Sequence, residues 1–175
     1  MTNEMTRIKI EYNNGPQTYY RTELWYAVSP QTLSRAQQWV VAASAKGGLD
    51  PRAFAEWLGR EQGAILDRTD GPAYFDVIPG RTVEEWRING LLDRADGPAV
   101  TVTGDQGARV ERWYTKGRLS ERANGGPNCI ITRKDGHCVK QWLDRCNGSV
   151  MREETEAGIS SVPGVALYQP RSPGP

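Results

Sequence analysis

Hydrophobic and polar positions along this chain change period twice. The run Arg7-Ile8-Lys9-Ile10-Glu11-Tyr12 alternates, which puts Ile8, Ile10 and Tyr12 on one face of a strand. Asn13-Asn14-Gly15-Pro16 carries turn chemistry. Residues 17–28 are rich in Tyr, Thr, Trp and Val, so they predict a returning strand and an N-terminal β-hairpin. At Ser29-Pro30 the period becomes helical, with Ser as N-cap and Pro in the first turn. Leu33, Ala36, Val40 and Ala43 then recur at helical spacing to Ala45, with Lys46 in the last turn and Gly47 as a left-handed stop. Asp50-Pro51 repeats the start signal, and Phe54, Trp57 and Leu58 fall on one face before Gly59 or Gly63 ends the helix. Residues 29–62 therefore read as an αα-hairpin.

From residue 64 the helical period vanishes and the chain repeats itself. Leu66-Asp67-Arg68-Thr69-Asp70-Gly71-Pro72-Ala73 returns as Leu92-Asp93-Arg94-Ala95-Asp96-Gly97-Pro98-Ala99. Trp86, Trp113 and Trp142 are separated by 27 and 29 residues, and Gly71-Pro72, Gly97-Pro98 and Gly126-Pro127 keep a similar register, as do Arg68, Arg94 and Arg122. Such a period marks a structural unit that recurs. Asn89-Gly90 predicts a two-residue type I′ turn, which sets Ile88 opposite Leu91, Arg87 opposite Leu92, Trp86 opposite Asp93 and Glu85 opposite Arg94, the last an ion pair. Lys116-Gly117 takes the same place in the next unit and sets Arg112 opposite Glu121. Asp-Gly-Pro-Ala is the second bend, with Asp bonding the turn backbone. The third unit is eroded: Asn124-Gly125-Gly126-Pro127-Asn128 replaces Asp-Gly-Pro-Ala, as expected near the end of an array. A degenerate fourth start follows at Val150-Met151-Arg152, with Pro163-Gly164-Val165-Ala166 beyond it. The fold predicted is α+β: a β-hairpin and αα-hairpin over 1–62, a twisted antiparallel β-meander of about three units of about 27 residues over 63–168, and a disordered tail at 169–175.

The phrase W-x-x-x-G-x-L-x-R-x-D-G-P-A resembles the DGPA-type hairpin repeats of phage proteins and of some large bacterial and viral proteins. Residues 86–99 and 113–127 carry it, and Tyr114, Lys116, Gly117, Leu119 and Arg122 stand in matching places. Asp67, Asp93 and Glu121 replace the histidine usual before the arginine. The resemblance covers about residues 64–150. It implies a β-repeat scaffold and favours a phage or prophage origin, and it does not imply a catalytic activity. Within it the repeat's structural residues are Arg68, Asp70, Gly71, Pro72, Trp86, Gly90, Arg94, Asp96, Gly97, Pro98, Gly117, Arg122, Gly126, Pro127 and Trp142.

Composition adjusts this picture only slightly. The 175 residues are long enough to bury about two-thirds of the unfolded surface. A net charge of +1 points to no particular partner. Mean hydropathy is −0.63, and the longest apolar run, residues 39–45, is too short to cross a bilayer, so no membrane partner is expected. Without a signal-peptide pattern, and with an odd count of three cysteines, the expected setting is the reducing cytoplasm, of a host cell if the chain is phage-encoded. Six Trp and seven Tyr against two Phe suit half-exposed sheet faces and interfaces.

Candidate chemistry is sparse. Cys129, His137, Cys138 and Cys146 suggest a zinc site, but adjacent strand residues face opposite ways and no C-x-x-C pair is present, so no metal or cofactor is expected. The acidic residues Asp67, Asp70, Asp93, Asp96 and Asp105 recur because a turn recurs. No phosphate loop, dinucleotide fingerprint or nucleophile elbow is present. The most basic stretch interleaves Arg109, Arg112, Lys116 and Arg118 with Trp113 and Tyr114. These six are the candidate partner-binding residues, for an acidic protein surface or for single-stranded nucleic acid; the competing account is a solvated strand with edge-protecting charges. The expectation is a non-enzymatic protein-binding protein of a phage or mobile element, an inhibitor of a host defence assembly such as a CRISPR effector complex. The alternatives are a structural component that forms homo-oligomers through its repeats, and a nucleic-acid-binding module.

Overall fold

The computed structural model describes residues 5–13, 21–45, 47–120, 122 and 124–155. The turn at 14–16, Lys46, the Arg112–Glu121 pairing, the motif at 163–166 and the tail lie outside the described residues.

Strands β1 (Thr6–Asn13) and β2 (Arg21–Val28) form the N-terminal hairpin, with Ile10 opposite Leu24. Helices α1 (Pro30–Ala45) and α2 (Pro51–Leu58) follow, with bounds close to those the cap signals predict. Ser29 Oγ receives the Thr32 N–H, and Asp50 Oδ1 receives the Arg52 N–H. Both caps satisfy backbone donors that a first turn leaves without partners.

A short β3 (Ala64–Leu66) pairs with the end of β2. The chain then enters a regular alternation of long and short hairpins. The long strands are β4 (Tyr74–Ile78), β5 (Arg81–Glu85), β8 (Val100–Gly104), β9 (Arg109–Arg112), β12 (Cys129–Thr132), β13 (Cys138–Leu143) and β14 (Val150–Thr155). Between β5 and β8 lies a two-by-two hairpin, β6 (Arg87–Ile88) with β7 (Leu91–Leu92). Between β9 and β12 lies another, β10 (Tyr114–Thr115) with β11 (Arg118–Leu119). The main sheet runs in the order β1-β2-β4-β5-β8-β9-β12-β13-β14, and every pairing is antiparallel. The chain is thus mostly an antiparallel meander carrying two short helices.

The small hairpins confirm the turn chemistry. Arg87 pairs with Leu92 and Ile88 with Leu91. Asn89 and Gly90 have φ of 51° and 79°, and Lys116 and Gly117 have φ of 49° and 77°. Two successive positive φ values are what a type I′ turn requires. The first small hairpin leans on β3 and the second on the first: the Gly90 N–H donates to Leu66 O at 3.0 Å and the Gly117 N–H to Leu92 O at 2.8 Å.

The helices cover one end of one sheet face. Ile10, Leu24, Tyr26 and Val28 point toward Ala36, Phe54, Ala55 and Leu58, and all eight are buried. Trp39, Phe54 and Trp57 fill the space beside them, with ring centroids 5.1 to 6.1 Å apart. Burying one such aromatic contributes roughly 1.5–3 kcal/mol, so this cluster anchors the helical pair to the meander. The same face carries a buried polar pair, in which Thr22 Oγ1 donates to Asp76 Oδ1 at 2.6 Å. Nearby, burial first, and then the charges of Asp76 and Glu85, push Tyr74 up to about 12.

Candidate interaction surface: a row of stacked tryptophans and arginines

Strand register explains the repeat phrase residue by residue. Leu24 pairs with Tyr74, Tyr74 with Glu85, Glu85 with Val100, Val100 with Arg112 and Arg112 with Cys129. The next position along each strand points to the face away from the helices. That row reads Lys9, Trp25, Ala73, Trp86, Ala99, Trp113, Asn128, Trp142, Arg152. Its backbone ties are the Trp25 N–H to Ala73 O at 2.8 Å, Trp86 N–H to Ala99 O at 2.7 Å and Trp113 N–H to Asn128 O at 3.0 Å. Tryptophan alternates with Ala73, Ala99 and Asn128, so the indoles stand two strands, about 10 Å, apart. Ala73 and Ala99 are fully buried between them. At these two places a methyl group fills the site, and a larger side chain would have to displace packed neighbours.

An arginine closes over each indole, three from loops and one from the neighbouring strand. Arg68 lies 4.3 Å from the Trp25 ring centre, Arg94 3.8 Å from Trp86, Arg122 4.7 Å from Trp113, and Arg152, on β14 opposite Trp142, 4.4 Å from that indole. Lys9 approaches Trp25 as well, at 5.7 Å. A guanidinium on an indole face contributes about 0.5–2 kcal/mol, depending on desolvation. The rest of the motif holds that guanidinium. Arg68 Nε donates to Asp70 Oδ1 and Arg94 Nε to Asp96 Oδ1, both at 2.9 Å. The glycine is the floor beneath it: a Cβ at Gly71 would stand 2.5 Å from Arg68 Cζ, and one at Gly97 2.9 Å from Arg94 Cζ. Asp70 and Asp96 are held below the usual carboxylate range, first by the hydrogen bonds from those arginines.

Two sequence expectations change. Arg94 does not pair with Glu85; it stacks on Trp86 and binds Asp96, while Glu85 Oε2 receives Arg87 Nε at 2.9 Å. Glu85 belongs to the main sheet, opposite Tyr74 and Val100, whereas Arg94 follows the small hairpin. The aspartate of the bend serves the arginine two residues before it. Arg68 also covers Trp25, a tryptophan 43 positions upstream, because the αα-hairpin is inserted between the two. Trp25 was not recognisable as part of the register by spacing. The signal was there in composition: Glu23, Glu84 and Glu111 each stand two residues before the tryptophan. In the first of these Glu23 receives Trp25 Nε1 at 2.6 Å. Burial raises this carboxyl, but the bonds from Trp25 and Lys9 and the Arg68 charge outweigh it and the net shift is downward.

The structure does not gather the six candidate binding residues into one patch. Arg109 and Trp113 lie on the row's face, whereas Arg112 points to the other face, beside Cys129. Arg109 is engaged by Glu111 at 2.9 Å. Tyr114, Lys116 and Arg118 ride on the β10–β11 hairpin, with Lys116 and Arg118 exposed. Because β9 sits between β8 and β12, its charges do not protect an edge. Arg94 and Trp113, together with Arg122, line a groove of about 570 Å³ between the second and third loops.

The cysteines are separated. Cys129 is buried opposite Arg112 and Gln141, Cys138 pairs with Thr132, and Cys146 is exposed. Burial pushes the Cys129 thiol up, against the pull of Arg112. Among the described residues no three His, Cys, Asp or Glu side chains converge as metal ligands. Asp135 Oδ1 lies 2.8 Å from His137 Nδ1, within the β12–β13 turn. No helix among the described residues is long and apolar enough to cross a membrane.

Fold and row together define a class of architecture: an antiparallel β-meander with an inserted helical pair, whose outer face is ruled by stacked Trp–Arg pairs. The chain matches no family model, no curated protein and no solved structure.

Proposed function

We propose that this chain is a non-enzymatic, protein-binding β-repeat protein that displays its Trp–Arg row to a partner. The observation that carries the reading is the row itself, four indoles each covered by a guanidinium on the face opposite the helices. Tryptophan and arginine are the residues that dominate binding energy at protein interfaces, and these are pre-ordered, so binding costs little side-chain entropy. We read the meander as built from units of about 27 residues, three recognisable by sequence and a first one, Trp25 with Arg68, split by the helical insertion. The resemblance to DGPA-type repeats supports a phage or mobile-element source, acting in the host cytoplasm. A host defence assembly such as a CRISPR effector complex is then the partner to test first.

The test is capture from host lysate on immobilised protein, with and without the Arg122→Glu and Lys116→Glu changes. A partner recovered by the native protein and lost with the charge reversals supports the reading. Equal recovery by both places the contact elsewhere.

A second reading, self-assembly, is favoured by β14. It closes one side of the main sheet, and its Val150 and Met151 are 47% and 49% exposed. Strands of this kind pair readily with further strands. Light scattering that finds a stable oligomer, dissolved by Met151→Lys, supports it, and a monomer removes it.

A further inference from the structure

The third loop departs from the other two in a way that leaves a cation exposed. Arg68 and Arg94 are followed two residues later by Asp70 and Asp96, which neutralise them. Arg122 is followed there by Asn124, and among the described residues it has no carboxylate partner. The loop is also one residue longer. Arg68 and Arg94 stand three positions before their glycines, and Arg122 stands four before Gly126. The extra residue shifts the side chain. A Cβ at Gly126 would meet the Cβ and Cδ of Arg122 at 3.5 Å rather than its guanidinium. The charged head therefore lies beyond the glycine floor, over Trp113 at 4.7 Å. The 570 Å³ groove opens at that point, with Arg94, Pro98, Ser120 and Asn124 among its walls. Lys116 and Arg118, both exposed, stand on the adjoining hairpin.

We infer that this groove receives a carboxylate from an acidic segment of the partner protein, which takes at Arg122 the place that Asp70 and Asp96 take at Arg68 and Arg94. The chain's own first two loops supply the template: the guanidinium Nε donates to the carboxylate oxygen while the indole face supports the cation from below. Charge complementarity chooses the occupant, because Arg94 is already neutralised by Asp96 and Arg122 has no carboxylate partner among the described residues. The inference rests on the protein-binding reading and deepens it, naming the chemistry recognised.

The probe is the tetrapeptide acetyl-Asp-Gly-Pro-Ala-amide, titrated into isotope-labelled full-length protein while the arginine Nε–H and tryptophan indole signals are followed. Saturable shifts at Arg122 and Trp113 are expected, larger than those at Arg68 and Arg94. The Asn-Gly-Pro-Ala peptide should bind at least about tenfold more weakly, the loss of one charge-assisted hydrogen bond. Asn124→Asp supplies the missing acid internally: the Arg122 signal should move toward those of Arg68 and Arg94 without peptide, and affinity should fall by a similar factor. Arg122→Gln should abolish the response, and Arg122→Lys should restore only part of it. Equal binding of the Asp and Asn peptides overturns the inference. So does equal or tighter binding of inorganic phosphate or a single-stranded oligonucleotide, which would make this a phosphate site. If the peptide fails while lysate capture still depends on the row, this inference falls and the protein-binding reading stands.

Discussion

A methyl group placed at position 97 should destabilise the native protein and do the opposite once Arg94 is gone. At Gly97 the new Cβ would lie 2.9 Å from Arg94 Cζ, 3.0 Å from Nε and 3.2 Å from Nη2. All three are closer than an ordinary van der Waals contact, so the guanidinium must move. It is not free to move cheaply, because it lies 3.8 Å above Trp86 and bonds Asp96 at 2.9 Å. Displacement forfeits most of a partly desolvated cation–π contact, about 1–2 kcal/mol. The exposed ion pair adds little, since Asp96 is 80% exposed. Against this, Gly→Ala gains about 0.4–1 kcal/mol by restricting the unfolded chain. Gly97→Ala should therefore cost roughly 0.5–1.5 kcal/mol, lowering the melting temperature by a few degrees. In the Arg94→Ala background the obstruction is absent, and the same change should be neutral or stabilising. The assay is urea unfolding followed by far-ultraviolet circular dichroism, which avoids reporting on Trp86 directly, for the four proteins of a double-mutant cycle with unchanged m-values. Additive effects would refute the reasoning, because glycine would then not be the seat of the arginine.

Three further outcomes follow from the same geometry. Ala99→Leu should destabilise by about 1–3 kcal/mol in denaturant unfolding, because Ala99 is fully buried between Trp86 and Trp113; a neutral result would mean the row has slack. Lys116→Asn should stabilise by about 0.5–1 kcal/mol, because Lys116 holds a φ of 49° that asparagine adopts more readily; an unchanged midpoint would contradict a strained turn. Tyr74 titrates near 10 when unfolded and is pushed up to about 12 when folded, so the unfolded chain releases its proton first. Its contribution is present below pH 10 and is lost as pH rises toward 12, and Tyr74→Phe should flatten that alkaline decline, leaving the slope that the raised Tyr26, Lys9 and Cys129 give. An identical pH profile for the variant would remove Tyr74 as the cause.

What could be read in advance was local. Ser29-Pro30 and Asp50-Pro51 gave the helix starts, because capping is decided within a turn of chain. Asn89-Gly90 and Lys116-Gly117 gave the small hairpins and their register, because a type I′ turn has only one way to pair its flanks. Cross-strand chemistry was less visible. Opposite charge suggests Glu85 for Arg94, but Glu85 belongs to the main sheet, opposite Tyr74 and Val100, while Arg94 follows the small hairpin and stacks on Trp86. Trp25 was hidden by an insertion of two helices, which no fixed period survives. The basic stretch does not form one surface: Arg112 and Trp113 are adjacent residues on opposite faces of the sheet. In a β protein, spacing by two strands sets which residues meet, and that is a property of register rather than of the linear run.

The direct test of the central claim compares capture of the host partner by three proteins: the native chain, the Arg122→Glu with Lys116→Glu variant, and Val41→Glu on the exposed side of α1, where the valine is 70% exposed. If the Trp–Arg row makes the contact, the first and third proteins recover the partner and the second does not. Recovery by the row variant with loss in Val41→Glu would move the contact to the helical insertion and contradict the account.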